Sequence, residues 1–251
     1  MAHRERGDLD GRAATDAPDA PDAPDAPRRA LRVERLGCAR GGRWLFRDLS
    51  FELHAGQALA LRGPNGSGKS SLLRQLAGLL PREHGVVEGA APASLAYLAH
   101  QNGLSLDLSA RENLALATRI GGHALPPAAL ETALEEVGLR QAAATPARRL
   151  SQGQRRRLAL ARVRASARPL WLLDEPTAAL DGDGEQVFAR LLTAHLESGG
   201  LAVVATHQPL ALPLPRCIAL TLGPASSRPA SSRPDPGIAS APVVGAMESA
   251  P

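Results

Sequence analysis

The chain of 251 residues contains one lysine, Lys69, set within Gly63-Pro64-Asn65-Gly66-Ser67-Gly68-Lys69-Ser70. Lysine and arginine together number 29, so a lysine placed at random among those sites would fall here about once in 29 trials. Physical chemistry supplies a reason for the placement. An ammonium is a compact charge on a thin stem, whereas a guanidinium is a broad planar fork. A loop that closes backbone N–H groups around a triphosphate has room for the first and not for the second. The segment matches G-x-x-x-x-G-K-[ST] and lies between a short apolar strand, Gln57–Arg62, and a helix predicted over Ser70–Leu80. That placement commits the surrounding chain to an α/β arrangement with an ATP or GTP site.

The rest of the pattern agrees with such a fold. Leu31–Leu36 and Trp44–Leu53 read as strands joined by a turn at Gly41-Gly42. Leu95–Leu98, Leu170–Leu173 and Leu201–Ala205 read as further strands. Between Leu98 and Leu170 the pattern is helical. Ser109-Ala110-Arg111-Glu112 is a capping box opening one helix, Pro126–Val137 forms a second, and the arginine-rich Gln152–Arg164 a third. Another helix is expected at about Gly184–Ser198. Strand–helix alternation with an inserted helical block means an α/β core carrying an α-helical subdomain. The repeated Ala-Pro-Asp of residues 17–25 and the Pro/Ser/Ala-rich end cannot bury apolar surface. Disordered tails are therefore expected at 1–29 and 223–251, with an ATPase domain at 30–222 and its helical subdomain at about 104–165.

Composition narrows the partners. A net charge of +4 is modest for this length, and aromatics at 2% are too scarce for a base-stacking surface, so no nucleic-acid partner is expected. Cys38 and Cys217 lie in no metal or redox spacing, which suits a reducing compartment. No apolar run resembles a signal peptide or approaches the roughly 18 residues of a membrane span.

Around the glycine loop, the helix N-terminus adds a favourable field for phosphate. Lys69 would bridge the β- and γ-phosphates, the Ser70 hydroxyl would ligate Mg²⁺, and Ser71 completes the nucleotide-binding turn. The apolar strand Leu170–Leu173 ends in Asp174-Glu175. An aspartate at such a strand end can help hold Mg²⁺, and the carboxylate after it can orient or deprotonate an attacking water.

Leu150-Ser151-Gln152-Gly153-Gln154, at the start of the arginine-rich helix, resembles the LSGGQ signature of ATP-binding cassette (ABC) proteins, with Gln152 in place of the first glycine. In that family the signature faces the nucleotide held by the other subunit, so Ser151, Gly153 and Gln154 join the nucleotide-binding set. Gln101 resembles the Q-loop glutamine that reaches Mg²⁺, Ala179-Leu180-Asp181 the D-loop, and Thr206-His207 the switch histidine near the γ-phosphate. The resemblance covers roughly residues 31–222. It implies an α/β P-loop NTPase fold of ABC type with an antiparallel β edge and an inserted α-helical subdomain. It also implies catalytic roles for Lys69, Gln101, Glu175 and His207, and metal roles for Ser70, Gln101 and Asp174. The position where the family places an aromatic against adenine is Arg40 here, and a guanidinium can stack on a ring. Trp44 is expected in the strand core.

The variable parts address the cargo. Tyr97-Leu98-Ala99-His100-Gln101-Asn102-Gly103-Leu104, Leu108-Ser109-Ala110-Arg111-Glu112-Asn113-Leu114 and Thr206-His207-Gln208-Pro209-Leu210 resemble runs in the haem-exporter ATPase family of bacterial cytochrome c maturation. Asn102 departs from the proline usual there. The resemblance implies a homodimer enclosing two ATP molecules, peripheral on the cytoplasmic face of the inner membrane, with membrane subunits of a haem-handling complex as partners. His100 reads as a loop residue and not a haem ligand. The ATPase of another exporter, a soluble ABC ATPase and a non-hydrolysing cassette stand as alternatives; intact Glu175 and His207 argue against the last.

Overall fold

The computed structural model describes residues 29–210, 212 and 216–224. The tails expected at either end fall almost wholly outside the described residues. Strands β1 (Arg29–Arg40) and β2 (Arg43–His54) form a hairpin, and β1 also pairs antiparallel with β4 (His84–Glu88), giving the sheet order β2-β1-β4. Five further strands are β3 (Ala58–Arg62), β5 (Leu95–Leu98), β6 (Leu170–Asp174), β7 (Leu201–Ala205) and β8 (Cys217–Thr221). They build a parallel sheet in the order β5-β6-β7-β3-β8.

Both faces of this parallel sheet are covered, and the alternation of side chains along a strand divides its residues between two cores. On one side Leu170, Leu172, Leu201 and Val203 pack with Leu31, Leu53 and the helix α1 (Lys69–Leu76) under the antiparallel sheet. On the other, Trp171, Leu173, Ala202 and Val204 pack against α4 (Gln152–Ala165) and α5 (Gly182–Glu197). All five residues of β6 and of β7 are buried. Continuous apolar runs, not alternating ones, are what a doubly covered strand requires.

Everything between β5 and β6 is helix, short 3-10 turn or loop, with α2 (Ala110–Ile120) and α3 (Pro127–Glu136) packed on α4. The capping box at Ser109 forms: its hydroxyl accepts from Glu112 N at 3.2 Å, while Glu112 accepts from Ser109 N at 2.8 Å. Helix α1 stops at Leu76, short of the Leu80 expected, because the chain turns left-handed at Gly78 (φ 72°). The strands β4 and β8 were not legible in sequence. Trp44 does not enter the deep core; it is half-buried in β2, with the Arg47 guanidinium 4.2 Å above its ring.

Candidate active site

The sheet order decides which loops meet. Strands β6, β7 and β3 are neighbours and parallel, so their carboxyl ends open on one edge. That edge collects Asp174-Glu175 after β6, Thr206-His207 after β7, and the glycine loop after β3. With strands about 4.8 Å apart, the outer two ends lie roughly 10 Å from each other, a span suited to a triphosphate.

The loop itself is shaped by glycine where no other residue fits. Gly63 has φ 140°, and a Cβ there would come within 2.4 Å of Leu222 O. Gly68, at φ 102°, is the residue from which α1 starts. Lys69 is 8% exposed, and its Nζ donates to Gly63 O at 2.7 Å and Pro64 O at 3.2 Å. The ammonium is thus held on two loop carbonyls.

Opposite the loop, Asp174 is 3% exposed and its Oδ2 has no hydrogen-bond partner. Glu175 has a left-handed backbone, φ 49°, unusual for a residue with a long side chain. Its N–H donates to Ala205 O at 2.9 Å, which ties it to β7. His207 Nε2 lies 3.2 Å from Glu175 Oε1. A carboxylate held by an imidazole through one oxygen keeps its other oxygen free to orient a water.

These groups line a cavity of about 610 Å³, which also receives Arg40, Ser70 and His100. Asn65, Gly66, Gly68 and Ser71 form its floor. The volume falls within the range of small-molecule sites. Gln101 lines a neighbouring cavity of about 620 Å³ together with Arg156 and Ala179, and His100 and Ala178 form the wall between the two. Of the 99–102 loop singled out in the sequence, His100 lines the glycine-loop cavity and Gln101 does not.

The signature segment lies elsewhere. Ser151, Gly153 and Gln154 do not line the 610 Å³ cavity of their own chain. Ser151 and Gln154 form a reciprocal cap on α4, with Gln154 N to Ser151 Oγ at 3.1 Å and Ser151 N to Gln154 Oε1 at 2.9 Å. A Cβ on Gly153 would meet Ala179 O at 3.0 Å, so this glycine lets α4 approach the loop before α5. Asp181 caps α5 by accepting from Gly184 N at 2.8 Å.

Residues 46–178 match the family model described as ABC transporter. The chain is 49% identical over 207 residues to the cytochrome c biogenesis ATP-binding export protein CcmA of Paracoccus denitrificans, covering 81% of this chain and 95% of that one. The chain belongs to the ABC transporter family. It stands with the ATP-binding subunits of that family as an ABC ATPase. A second relative, the protein of the same name from Rhodopseudomonas palustris strain BisB18, is 51% identical over 185 residues, 70% of this chain and 91% of its own. Among solved structures, a metal-chelate type ABC transporter in an inward-facing conformation superposes with a TM-score of 0.66 at 30% identity, covering 78% of this chain and 80% of that one.

In this ABC ATPase the residue that sequence reasoning missed is Arg156. It is 2% exposed and reaches beneath the site from α4. A signal existed: Arg156, Leu160 and Val163 share the i, i+4, i+7 face of α4, and the two apolar members are buried. Burial lowers the pKa of Arg156 while the Asp174 and Glu175 carboxylates raise it, and the guanidinium stays charged. Arg162, one and a half turns further on, donates to Asn102 O at 3.3 Å and to Gly103 O.

Proposed function

We propose that this chain is the ATP-hydrolysing subunit of a membrane export complex serving cytochrome c biogenesis, with haem as the molecule delivered or released. The observation that carries the reading is the near-50% identity, along 95% of its length, to a protein named for that role. The motifs at residues 97–104, 108–114 and 206–210 point the same way.

In the proposed mechanism Lys69 leaves the carbonyls of Gly63 and Pro64 and turns to the β- and γ-phosphates. Arg40, on the cavity rim, stacks its guanidinium on the adenine. Glu175 orients and deprotonates the attacking water, and His207, 3.2 Å away, holds that carboxylate in place and meets the γ-phosphate. A Mg²⁺ ion fits the residues present, since the buried Asp174 Oδ2 lacks any partner and the Ser70 hydroxyl lines the same cavity. Asp174 and Ser70 would hold it, Gln101 would join them by turning in from the neighbouring cavity that it lines here, and the ion would neutralise the charge gathering on the phosphates. The described residues form no cluster of three His, Cys, Asp or Glu groups, as suits an ion that takes part of its shell from phosphate oxygens.

Ser151, Gly153 and Gln154 stand away from their own chain's phosphate cavity, so in the proposal they close over the nucleotide of a second copy, with Asp181 at the same seam. Closing on ATP and opening after hydrolysis would move partner subunits. No described helix is long and apolar enough to cross a membrane, so the proposal assigns the crossing to those partners and places this chain on the cytoplasmic face of the inner membrane. Residues 30–222 are the ATPase unit in this reading, with 104–165 as its helical subdomain.

Affinity capture of the tagged chain from detergent-solubilised membranes tests the cargo. Recovery of integral membrane proteins that retain haem is expected. Recovery of a transporter free of haem would overturn the cargo while leaving the ATPase intact.

A further inference from the structure

The Arg156 side chain has five N–H donors, and all five are used. The Nε–H donates to Pro176 O at 3.1 Å. One terminal nitrogen, Nη1, donates to Ala99 O at 3.1 Å and Asn102 Oδ1 at 2.9 Å. The other, Nη2, donates to Asp174 O and Glu175 O, each at 2.6 Å. The acceptors belong to two segments far apart in sequence, 99–102 and 174–176. Gln101 lies inside the first, and Glu175, with its left-handed backbone, inside the second. A planar fork fixes the angle between its bonds, so neither segment can shift without breaking bonds to the other.

Four of the acceptors are main-chain carbonyls, which almost any sequence offers. The fifth is the Asn102 side chain, a specific choice, since alanine or proline there would leave one buried N–H of Arg156 without its partner. We propose that Arg156 is a positioning residue that couples the Gln101 loop to the Glu175 carboxylate, and that Asn102 completes the coupling. A displacement of the loop, such as a docked partner would impose, reaches the hydrolytic carboxylate through this guanidinium. The inference rests on Glu175 acting in hydrolysis.

The test compares Arg156→Lys, Asn102→Ala and Asn102→Asp in the purified full chain, with kcat and KM for ATP measured separately. A lysine keeps the charge but gathers its donors at one point and cannot span both segments. Displacement of a catalytic group by about 1 Å can cost on the order of 100-fold, so a kcat loss of about 10-fold or more is expected for Arg156→Lys, with KM changed less than about threefold. Asn102→Ala should lower kcat by about threefold, Asn102→Asp should restore it, and Arg156→Lys/Asn102→Ala should be no slower than Arg156→Lys alone.

Amide hydrogen exchange supplies a readout independent of turnover. Asn102→Ala should speed exchange in the peptide spanning 174–177 as well as in 99–103. Exchange confined to 99–103, or equal kcat for Asn102→Ala and Asn102→Asp, would overturn the coupling. A wild-type chain without ATPase activity would instead sink the hydrolytic reading, and the exchange result would still decide the coupling.

Discussion

Replacing Glu175 separates chemistry from architecture, because two substitutions act on different properties of the same residue. Glu175→Gln is isosteric and leaves the backbone where Ala205 O and the Arg156 guanidinium hold it. It removes the proton acceptor, and loss of a general base costs about 10² to 10⁴ in rate, or roughly 3–5 kcal/mol of barrier. ATP binding should survive, so the variant should accumulate as an ATP-loaded dimer. Glu175→Gly removes the same carboxylate and also relieves the left-handed backbone at φ 49°. That conformation costs a residue with a Cβ about 1–2 kcal/mol, while glycine loses about 0.5–1 kcal/mol more in chain entropy on folding. The pair with His207, whose side chain is 53% exposed, is worth about 0–1 kcal/mol. These contributions nearly cancel, so Glu175→Gly should melt within about 3 °C of wild type. Steady-state phosphate release at saturating Mg-ATP, gel filtration with ATP and a thermal melt together read all three quantities. Turnover of Glu175→Gln within about threefold of wild type would refute the role given to the carboxylate.

Lys69→Arg keeps the charge of the only lysine but widens a side chain that is 8% exposed and folded under the loop. ATPase activity should fall by about 100-fold or more, the scale of losing a transition-state charge contact; retained turnover would show that the loop tolerates a planar fork. Burial pushes the pKa of His195 below its ordinary value near 6.5, and its ring stacks on Trp171 at 3.9 Å. The unfolded chain therefore takes up this proton first. Stability from the neutral ring is present above about pH 6.5 and is lost as pH falls, at up to about 1.4 kcal/mol per pH unit. The melting temperature of His195→Phe should drop less than that of wild type between about pH 7.5 and 5.5, and parallel curves would assign the acid sensitivity elsewhere.

The elements read correctly in sequence are those with short-range causes. A short continuous apolar run that follows Pro or Gly and ends at a polar residue, as at Leu170–Leu173 and Leu201–Ala205, is a strand buried on both faces. Ser109 stands three residues before Glu112 and forms the capping box that this spacing predicts, while Ser151, read only as part of a signature opening a helix, forms a second with Gln154. The strand β4, with sequence His-Gly-Val-Val-Glu, is largely exposed and carries no alternation, so only its pairing with β1 makes it a strand. The strand β8 exists because β3 has a free edge for Cys217–Thr221 to join. His100 illustrates the same limit inside the site, where one position of register decides which residue of the 99–102 loop meets the phosphate cavity.

By itself the sequence determined the glycine loop with its solitary lysine, the carboxylate pair after a buried strand, and the signature at a helix start. Each is a matter of sterics and hydrogen bonding within a few residues, so fixed spacing is enough to reveal it. Only the tertiary structure decided that β7 lies between β3 and β6, bringing Lys69, His207 and Glu175 to one edge. It alone turned Arg156 from one of many arginines into the tie between Gln101 and Glu175. Strand order is a matter of which edges pair between segments far apart in the chain, and the five acceptors of Arg156 are nearly all backbone carbonyls, whose positions no residue type records.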